Sequence, residues 1–413
     1  MLMKTKKFWL PAVAVALAMG ACSSDNEPVV EPTLTIDPAE EVEFELTEAE
    51  KAVASNVLGF QTDFFRAVNA LPENADQNVV VSPLSAQVLL SILANAAGEN
   101  HTAEILEALN CKNLDALNSL AAKYQSALPN IDDAVNMELA STLWYNNLYA
   151  INPMPATKLE DVFGIHSHPA DFANGLSVSS SFNNWIAANT NSLINSFLSP
   201  DDISPDQFAV MANAVYLKGE WANPFDKKET ENELFSSFAG ESTVQMMKKF
   251  FIQHISIHDD YSAVKLDFGS GQLNAIFVLP SESWDINAFA NAFNVSQIGE
   301  FEDRLITFWL PKFSIDTQAI HLNKVLSNMG LASLDAYNPT VFFMEEIPVK
   351  FEVYQKTSIC FDEKGAEGVS GNWDYPVGGV IRIPEVKLNR PFLFFINEAS
   401  TGACIFAGKM VKF

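Results

Sequence analysis

Positively charged side chains are scarce in this chain. Its 413 residues include 25 Lys and Arg against 51 Asp and Glu, so the formal net charge is -26 at pH 7. Binding to a nucleic-acid backbone requires a cationic surface, and the composition therefore argues against a nucleic-acid partner. The sequence also contains no Lys/Arg cluster of the kind that binds heparin-like polyanions. The charge favours solubility but says nothing about the fold.

Cysteine is also sparse, with four residues in the chain. Cys22 belongs to the N-terminal leader described below, which leaves Cys111, Cys360 and Cys404. Three thiols cannot all pair with one another, and their spacing matches no metal site. Cys360 and Cys404 lie in apolar, strand-like runs, so we expect buried thiols there. A single disulfide is the alternative.

The usual sequence signatures of an enzyme are missing. There is no Gly-x-Ser-x-Gly elbow, no phosphate-binding loop and no pair of catalytic carboxylates. His166 and His168 have strand spacing and His254 and His258 have helical spacing, but neither pair has the glutamate or third ligand of a usual zinc site. We therefore predict a protein without catalytic residues, metal or cofactor, with its histidines at the surface or in the core.

The N-terminus has the pattern of an export signal. Three lysines near the start precede the apolar run Phe8–Met19, which is too short to span a bilayer as mature structure. Gly20 and Ala21 then precede Cys22, as in bacterial lipoprotein signals. We expect residues 1–21 to be removed and Cys22 to carry a lipid. An ordinary secretory signal with an incidental cysteine is the alternative.

Residues 22–45 predict a solvated tether. Acidic and small residues follow Cys22, and a Pro- and Glu-rich stretch without hydrophobic periodicity continues to about Glu43. An acidic segment at this place resembles the surface-export signals of Bacteroidota lipoproteins. It indicates an extracellular protein anchored to the outer membrane and exposed at the cell surface. An incidental acidic linker is the alternative.

The remaining chain predicts helices early and strands late. Phe60, Phe64 and Val68 recur at helical spacing within residues 52–71, and residues 84–97 are apolar enough for a helix buried on most sides. We predict helices also at residues 101–109 and 321–329. Without regular βαβ alternation, this order indicates an α+β fold with large sheets. Strands are predicted at residues 78–81, 137–145, 208–217, 263–268, 275–279, 305–310, 356–362, 386–388 and 392–396.

Eight separated motifs follow one another along the folded part of the chain. They are Asn78–Ser85, Asn213–Trp221, Pro224–Asp226, Val244–Met247, Leu310–Phe313, Leu322–Gly330, Pro391–Ile396 and Gly402–Gly408. In their joint order and spacing they resemble one family, the serpins, over residues 46–413, which are interpreted as a single domain. The resemblance implies helices around a large central mixed sheet, with smaller sheets and an exposed reactive loop. Trp221 and Phe225 are expected to be core aromatics.

Residues 363–383 form a long irregular stretch between two predicted strands, and such stretches are usually functional or disordered. In serpins this stretch is a bait, and it is called the reactive loop below. A target protease cleaves the loop and forms an acyl-enzyme, and the loop then inserts as a strand into the central sheet. The resemblance thus implies a single-use, monomeric protease trap and not an enzyme.

Small residues at the start of the reactive loop suit insertion into a packed sheet. Ala366, Gly368 and Ser370 alternate on the face that would turn inward. Asn372 and Asp374 continue that face, and burying an ionised Asp374 without a partner would cost several kcal/mol. The expected hinge comprises Glu363, Gly365, Ala366, Glu367, Gly368 and Ser370.

The cleaved bond is predicted near Val380. Counting forward from Glu363 gives Gly379–Val380, whereas counting back from Pro384 gives Val380–Ile381. A small aliphatic residue at this place suits an elastase-like serine protease, with a papain-like cysteine protease second. Arg382 offers a trypsin-like alternative that would leave little reach. The rivals to inhibition are a non-inhibitory serpin serving as a surface binding protein, and a nutrient-binding surface lipoprotein.

Overall fold

The computed structural model describes residues 45–150, 152–295, 298–317, 319–331, 351–363 and 384–413. Six of the eight described helices lie before residue 200, and four of the five described strands of ten or more residues lie after it, in line with the order that the sequence predicts. The helices are α1 (Glu48–Asn69), α2 (Pro83–Ala96), α3 (Glu99–Ala108), α4 (Leu114–Ala127), α5 (Pro153–Phe163), α6 (Gly175–Asn189), α7 (Ile286–Ala292) and α8 (Asn323–Asn328).

The described strands are β1 (Val79–Val81), β2 (Val135–Asn146), β3 (Ser167–Ala170), β4 (Ala209–Gly219), β5 (Glu231–Ser237), β6 (Gly240–Ile257), β7 (Tyr261–Phe268), β8 (Leu273–Pro280), β9 (Glu302–Pro311), β10 (Phe313–Asp316), β11 (Ile320–His321), β12 (Phe351–Phe361), β13 (Glu385–Lys387), β14 (Phe392–Glu398) and β15 (Cys404–Met410). They form two sheets. The smaller one has six strands in the order β10-β12-β4-β2-β3, with β11 paired to β12. The larger one has nine strands in the order β1-β15-β14-β8-β7-β6-β9-β13, with β5 paired to β6.

Local sequence signals account for the first two helices. Thr47 caps α1 in a reciprocal box, because its hydroxyl accepts from the Glu50 amide while the Glu50 carboxylate accepts from the Thr47 amide at 2.7 Å. In α2, Ser82 is the N-cap and Pro83 the first helical residue, where its missing N–H costs nothing. Every residue of α2 is buried, as the nearly all-apolar run predicts.

The core has two parts. The main cluster includes the buried face of α1, the apolar residues of α2 and the inner faces of both sheets. A separate cluster lies between α6 and one face of the six-stranded sheet, with Trp144, Phe182, Ile186 and Tyr354 among its members. The six-stranded sheet is therefore covered on both faces around β4 and β12.

The α+β fold class is confirmed, with differences at particular elements. The helix predicted over residues 321–329 begins only at Asn323, because His321 pairs with Tyr354 as part of β11. Helices α4–α7 were not predicted from the sequence. In α6, four serines and three asparagines among fifteen residues give little helix propensity; packing on the sheet through Val178, Phe182 and Ile186 compensates for that.

The three described cysteines are free thiols. Cys111 and Cys404 are buried, but Cys360 is only half-buried, so the expectation of burial is wrong for Cys360. It lies one residue from the end of β12, where the strand leaves the sheet. No helix in the described ranges is long and apolar enough to cross a membrane.

Candidate functional site

The strand that leads into the reactive loop lies inside the six-stranded sheet. β12 pairs in parallel with β4 from Phe351 opposite Ala209 to Ile359 opposite Leu217, and with β10 on its other side. We call the paired edges of β4 and β12 the β4–β12 seam. A chain that leaves β12 and folds back would run antiparallel to both strands of this seam. Such a chain would find backbone hydrogen-bond partners on both sides if the two strands separated.

An aromatic stack closes the end of the seam from which the reactive loop departs. The Trp221 indole lies between the rings of Phe268 and Phe361, with centroids 4.5 and 5.8 Å away and nearly parallel planes. Its Nε1 donates to the carbonyl of Asp362 at 2.9 Å. Gly219, the last residue of β4, lies against this stack. A Cβ there would come within 2.4 Å of the Phe268 ring, so the close contact requires glycine. The stack fixes the last two residues before the hinge.

An ion pair holds the first residue of the hinge. Lys312 Nζ lies 2.8 Å from Glu363 Oε2, and the Thr230 hydroxyl donates to Oε1 at 3.1 Å. Burial alone would raise the pKa of Glu363, but the hydrogen bonds from Lys312 and Thr230 outweigh it, and the net pKa is lowered. The bond to Glu363 correspondingly raises the pKa of Lys312. Both groups are therefore charged at neutral pH, and Glu363 is held in place where the predicted hinge begins.

Behind the seam, side chains of β12 hydrogen-bond to the start of α2. The Gln355 amide accepts from the Ser82 backbone N–H at 2.8 Å and donates to the Ser82 carbonyl at 2.9 Å. The Thr357 hydroxyl donates to the Val80 carbonyl at 3.0 Å. Gln355 and Thr357 are both buried, so these contacts satisfy groups that would otherwise be costly.

The neighbouring strand β4 joins the same polar layer. Asn213 Nδ2 donates to the Ser141 hydroxyl at 2.8 Å, and the Ser85 hydroxyl of α2 donates to Asn213 Oδ1. The layer thus fixes both strands of the seam to α2 through hydrogen bonds and not only through apolar contacts.

On the opposite face of the sheet, β12 is hydrogen-bonded to the segment between α6 and β4. Lys356 Nζ donates to the Ser196 carbonyl at 2.7 Å and lies 3.4 Å from Asp316 Oδ1. Ser196 lies between α6 and β4, so this bond links the β12 side of the seam to the segment over β4. The Lys356 side chain is buried, and widening the seam would stretch its bond to Ser196.

The predicted site residues divide between described and masked parts of the chain. Glu363 lies within the described residues, two positions after the end of β12, and its role as a hinge stays a prediction. The other hinge residues, from Gly365 to Ser370, lie outside the described residues. So do Asn372, Asp374, the candidate cleavage positions Gly379, Val380 and Ile381, and Cys22. Trp221 and Phe225 are buried core aromatics, as expected.

The described histidines form no common site. His168 stacks on Trp144 at 4.8 Å, and burial lowers its pKa. His166 is exposed beside Glu160. His254 belongs to β6 and not to a helix, so its helical spacing to His258 was misleading. Within the described ranges, no group of three or more His, Cys, Asp or Glu side chains could hold a metal ion.

Most of the polar contacts around the seam were not predicted from the sequence. Lys312 belongs to the motif Leu310–Phe313 and Glu363 to the predicted hinge, but their ion pair was not predicted. The sequence offers one signal, because Gln355 and Lys356 are adjacent long polar side chains in a strand, so one of them lies on each face. Their partners Ser82 and Ser196 lie more than 150 residues away in sequence, so that signal alone identified no contact.

Comparison with known proteins agrees with this architecture. The family described as Serpin (serine protease inhibitor) matches residues 55–413. A serine protease inhibitor of Cyanea capillata is 27% identical over 357 residues, covering 82% of this chain and 93% of the relative. Alaserpin of Manduca sexta is 27% identical over 383 residues, covering 89% and 95%.

Solved structures match in fold. The native state of the thermophilic serpin tengpin aligns with a TM-score of 0.78 at 23% identity, over 90% of this chain and 96% of that structure. The native stressed conformation of Arabidopsis AtSerpin1 aligns with a TM-score of 0.79 at 22% identity, over 89% and 99%. With the family match extending from α1 to the C-terminus, this chain belongs to the serpin family of serine protease inhibitors.

Proposed function

We propose that this protein inhibits proteases as a single-use trap. The β4–β12 seam carries the proposal, because the reactive loop leaves β12 at Glu363 and the seam is the place where it would insert as an antiparallel strand. The target protease would attack the loop with its own nucleophile, and its acyl-enzyme would be carried along as the loop enters the seam. New backbone pairing on both edges drives the step. No side chain of this chain performs catalysis.

The proposed bait is the bond Gly379–Val380 or Val380–Ile381. The small aliphatic residues at this place support an elastase-like serine protease as the target, with a papain-like cysteine protease second. Incubation with both should yield a covalent complex that survives SDS. Mass spectrometry of the released C-terminal peptide identifies the bond.

A matched pair of hinge variants tests the insertion step. Ala366→Arg places a long charged side chain on the inward face, and insertion would have to bury it. Glu367→Arg adds the same side chain on the outward face. We expect Ala366→Arg to be cleaved without trapping the protease, while Glu367→Arg still forms the complex. Equal trapping by both variants would contradict insertion.

Thermal unfolding separates a trap from a non-inhibitory serpin. Cleavage of the wild-type loop should raise the melting temperature considerably, because the loop adds a strand to the sheet. Cleavage with neither a complex nor a rise in melting temperature would instead favour a surface binding protein.

We also propose that residues 1–21 are a signal peptide and that residues 22–45 tether residues 46–413 to the outer surface of a bacterial outer membrane. The basic, apolar and small residues before Cys22 support this. Metabolic labelling with a radioactive fatty acid should mark the wild type but not Cys22→Ser. Surface exposure is checked by digesting intact cells with an external protease.

A further inference from the structure

An apolar strip is exposed on the nine-stranded sheet beside the end of the reactive loop. Phe250 and Ile252 of β6 are 50% and 58% exposed. They lie opposite Thr307 and Leu305 of β9, so the four side chains share one face. We call these four residues the β6–β9 strip.

The strip lies within reach of the proposed cleavage site. Glu385 pairs with Thr307, which pairs with Phe250, so Phe250 is two strand spacings, about 10 Å, from Glu385. Val380 is five residues before Glu385 and lies at most about 17 Å from it along an extended chain. A specific interface covers about 800 Å² on each partner. A protease bound at Val380 would therefore have its rim close to the strip.

The charges around the strip indicate the partner's chemistry. Lys248 lies two residues before Phe250 and on the same face of β6, and its ammonium lies 4.6 Å from the centre of the Trp309 ring. Lys387 lies 4.4 Å from the same ring and is paired with Glu233 at 3.0 Å. Lys248 forms no ion pair with any residue in the described ranges. Among the residues that the structure describes, the strip thus ends at a lysine without an ion-pair partner.

We infer that the β6–β9 strip is a second docking surface for the target protease. It would contact an apolar patch bordered by a carboxylate on the protease rim that binds the residues after the cleaved bond. The residues directly after the reactive loop pair with β9 as β13, and a protease bound to the end of the loop would have that rim next to the strip. A second copy of this chain is a poorer occupant, because two chains of net charge -26 repel each other. This inference rests on the proposed function.

The test compares Phe250→Ser/Ile252→Ser with Leu148→Ser. Leu148 is also exposed, at 77%, but it follows β2 at the end of the sheet opposite the hinge. Second-order rate constants of complex formation are measured with pancreatic elastase and papain. We expect the double variant to associate about tenfold more slowly, because two exposed apolar side chains no longer contact the protease. Its trapping stoichiometry and melting temperature, and all properties of Leu148→Ser, should match the wild type.

Equal rates for the double variant and the wild type would overturn the inference, as would equal slowing of Leu148→Ser. Self-association of the wild type that the double variant abolishes would show that a second copy occupies the strip. If the wild type traps neither protease, the trap mechanism fails, and the strip is tested separately by the Kd for elastase with its catalytic serine changed to alanine. A Kd unchanged in the double variant would then refute the docking surface.

Discussion

Replacing Glu363 by glutamine tests whether the ion pair at the hinge holds the native state closed. The Glu363 side chain is 7% exposed, and its partner Lys312 is 38% exposed. Breaking a fully buried ion pair costs about 3–5 kcal/mol because it leaves a charge without compensation. Water reaches Lys312, and glutamine still accepts a hydrogen bond, so we expect a loss of about 2 kcal/mol in the free energy of unfolding.

The same substitution should accelerate conversion to the loop-inserted form. The loop cannot enter the seam from Glu363 while that residue is held by Lys312. If the pair is broken in the transition state, a loss of about 2 kcal/mol corresponds to a rate increase of up to about 30-fold. Conversion is followed at elevated temperature by native electrophoresis and by loss of inhibitory activity.

The sign of the pH dependence follows from the two pKa shifts. The lowered pKa of Glu363 means that its contribution to stability is present above 4.5, the pKa of the free carboxyl, and is lost as the pH falls through the lowered value. The raised pKa of Lys312 means that its contribution is present below 10.5 and is lost as the pH rises through the raised value. The difference between wild type and Glu363→Gln should therefore be constant at neutral pH and shrink in acid.

Urea unfolding at several pH values, with the exposed pair Arg304–Glu302 as a control, decides the question. Both side chains of that pair are more than half exposed, so Glu302→Gln should change the free energy of unfolding by less than about 0.5 kcal/mol. The reasoning is refuted if Glu363→Gln has the wild-type unfolding midpoint at pH 7. It is also refuted if the difference in the free energy of unfolding between wild type and Glu363→Gln is as large below pH 4.5 as at pH 7.

Three further substitutions probe other parts of the molecule. Burial would raise the pKa of Glu50, but hydrogen bonds from Lys123, Ser119 and Thr47 lower it to about 2; Glu50→Gln should cost about 2 kcal/mol at pH 7. Urea unfolding should show that cost vanish between pH 4.5 and 2, and a cost unchanged at pH 2 would contradict the assignment. Lys356→Met removes the bond to the segment over β4 and should shorten the half-time of spontaneous loop insertion at least about threefold; an unchanged half-time would exclude Lys356 as a clasp. Asp374→Ala should reduce the fraction of protein cleaved without trapping, measured by densitometry of SDS gels, and no reduction would exclude Asp374 as a brake on insertion.

The elements that depend on neighbouring residues were predictable. α1, α2 and β1 follow from hydrophobic spacing and from the caps at Thr47 and Ser82, which act within one turn of chain. The α+β class follows from the order of these elements, and the serpin motifs identified the family. That a strand ends just before Glu363 was also predictable from the alternating residues 356–362, whereas a hinge at Glu363 stays a prediction.

The exposure of the β6–β9 strip shows where alternation in the sequence fails. Val244, Met246, Phe250 and Ile252 are separated by even numbers of residues and would share a face of a flat strand. Val244 and Met246 are buried, whereas Phe250 and Ile252 are exposed. β6 leaves β5 and continues beside β7, so the same side of the strand passes from core to solvent. Only the course of the sheet decides which residues are available to a partner.

Composition, near neighbours and the order of motifs were enough to predict α1, α2 and several strands, the acidic character of the surface and the family. The sequence also marked the reactive loop as the irregular stretch between two strands. Folding decided which contacts hold the strand and the residue from which that loop departs. The parallel pairing of β4 with β12, the Glu363–Lys312 pair and the Lys356–Ser196 bond join distant parts of the chain, and only folding brings those partners together.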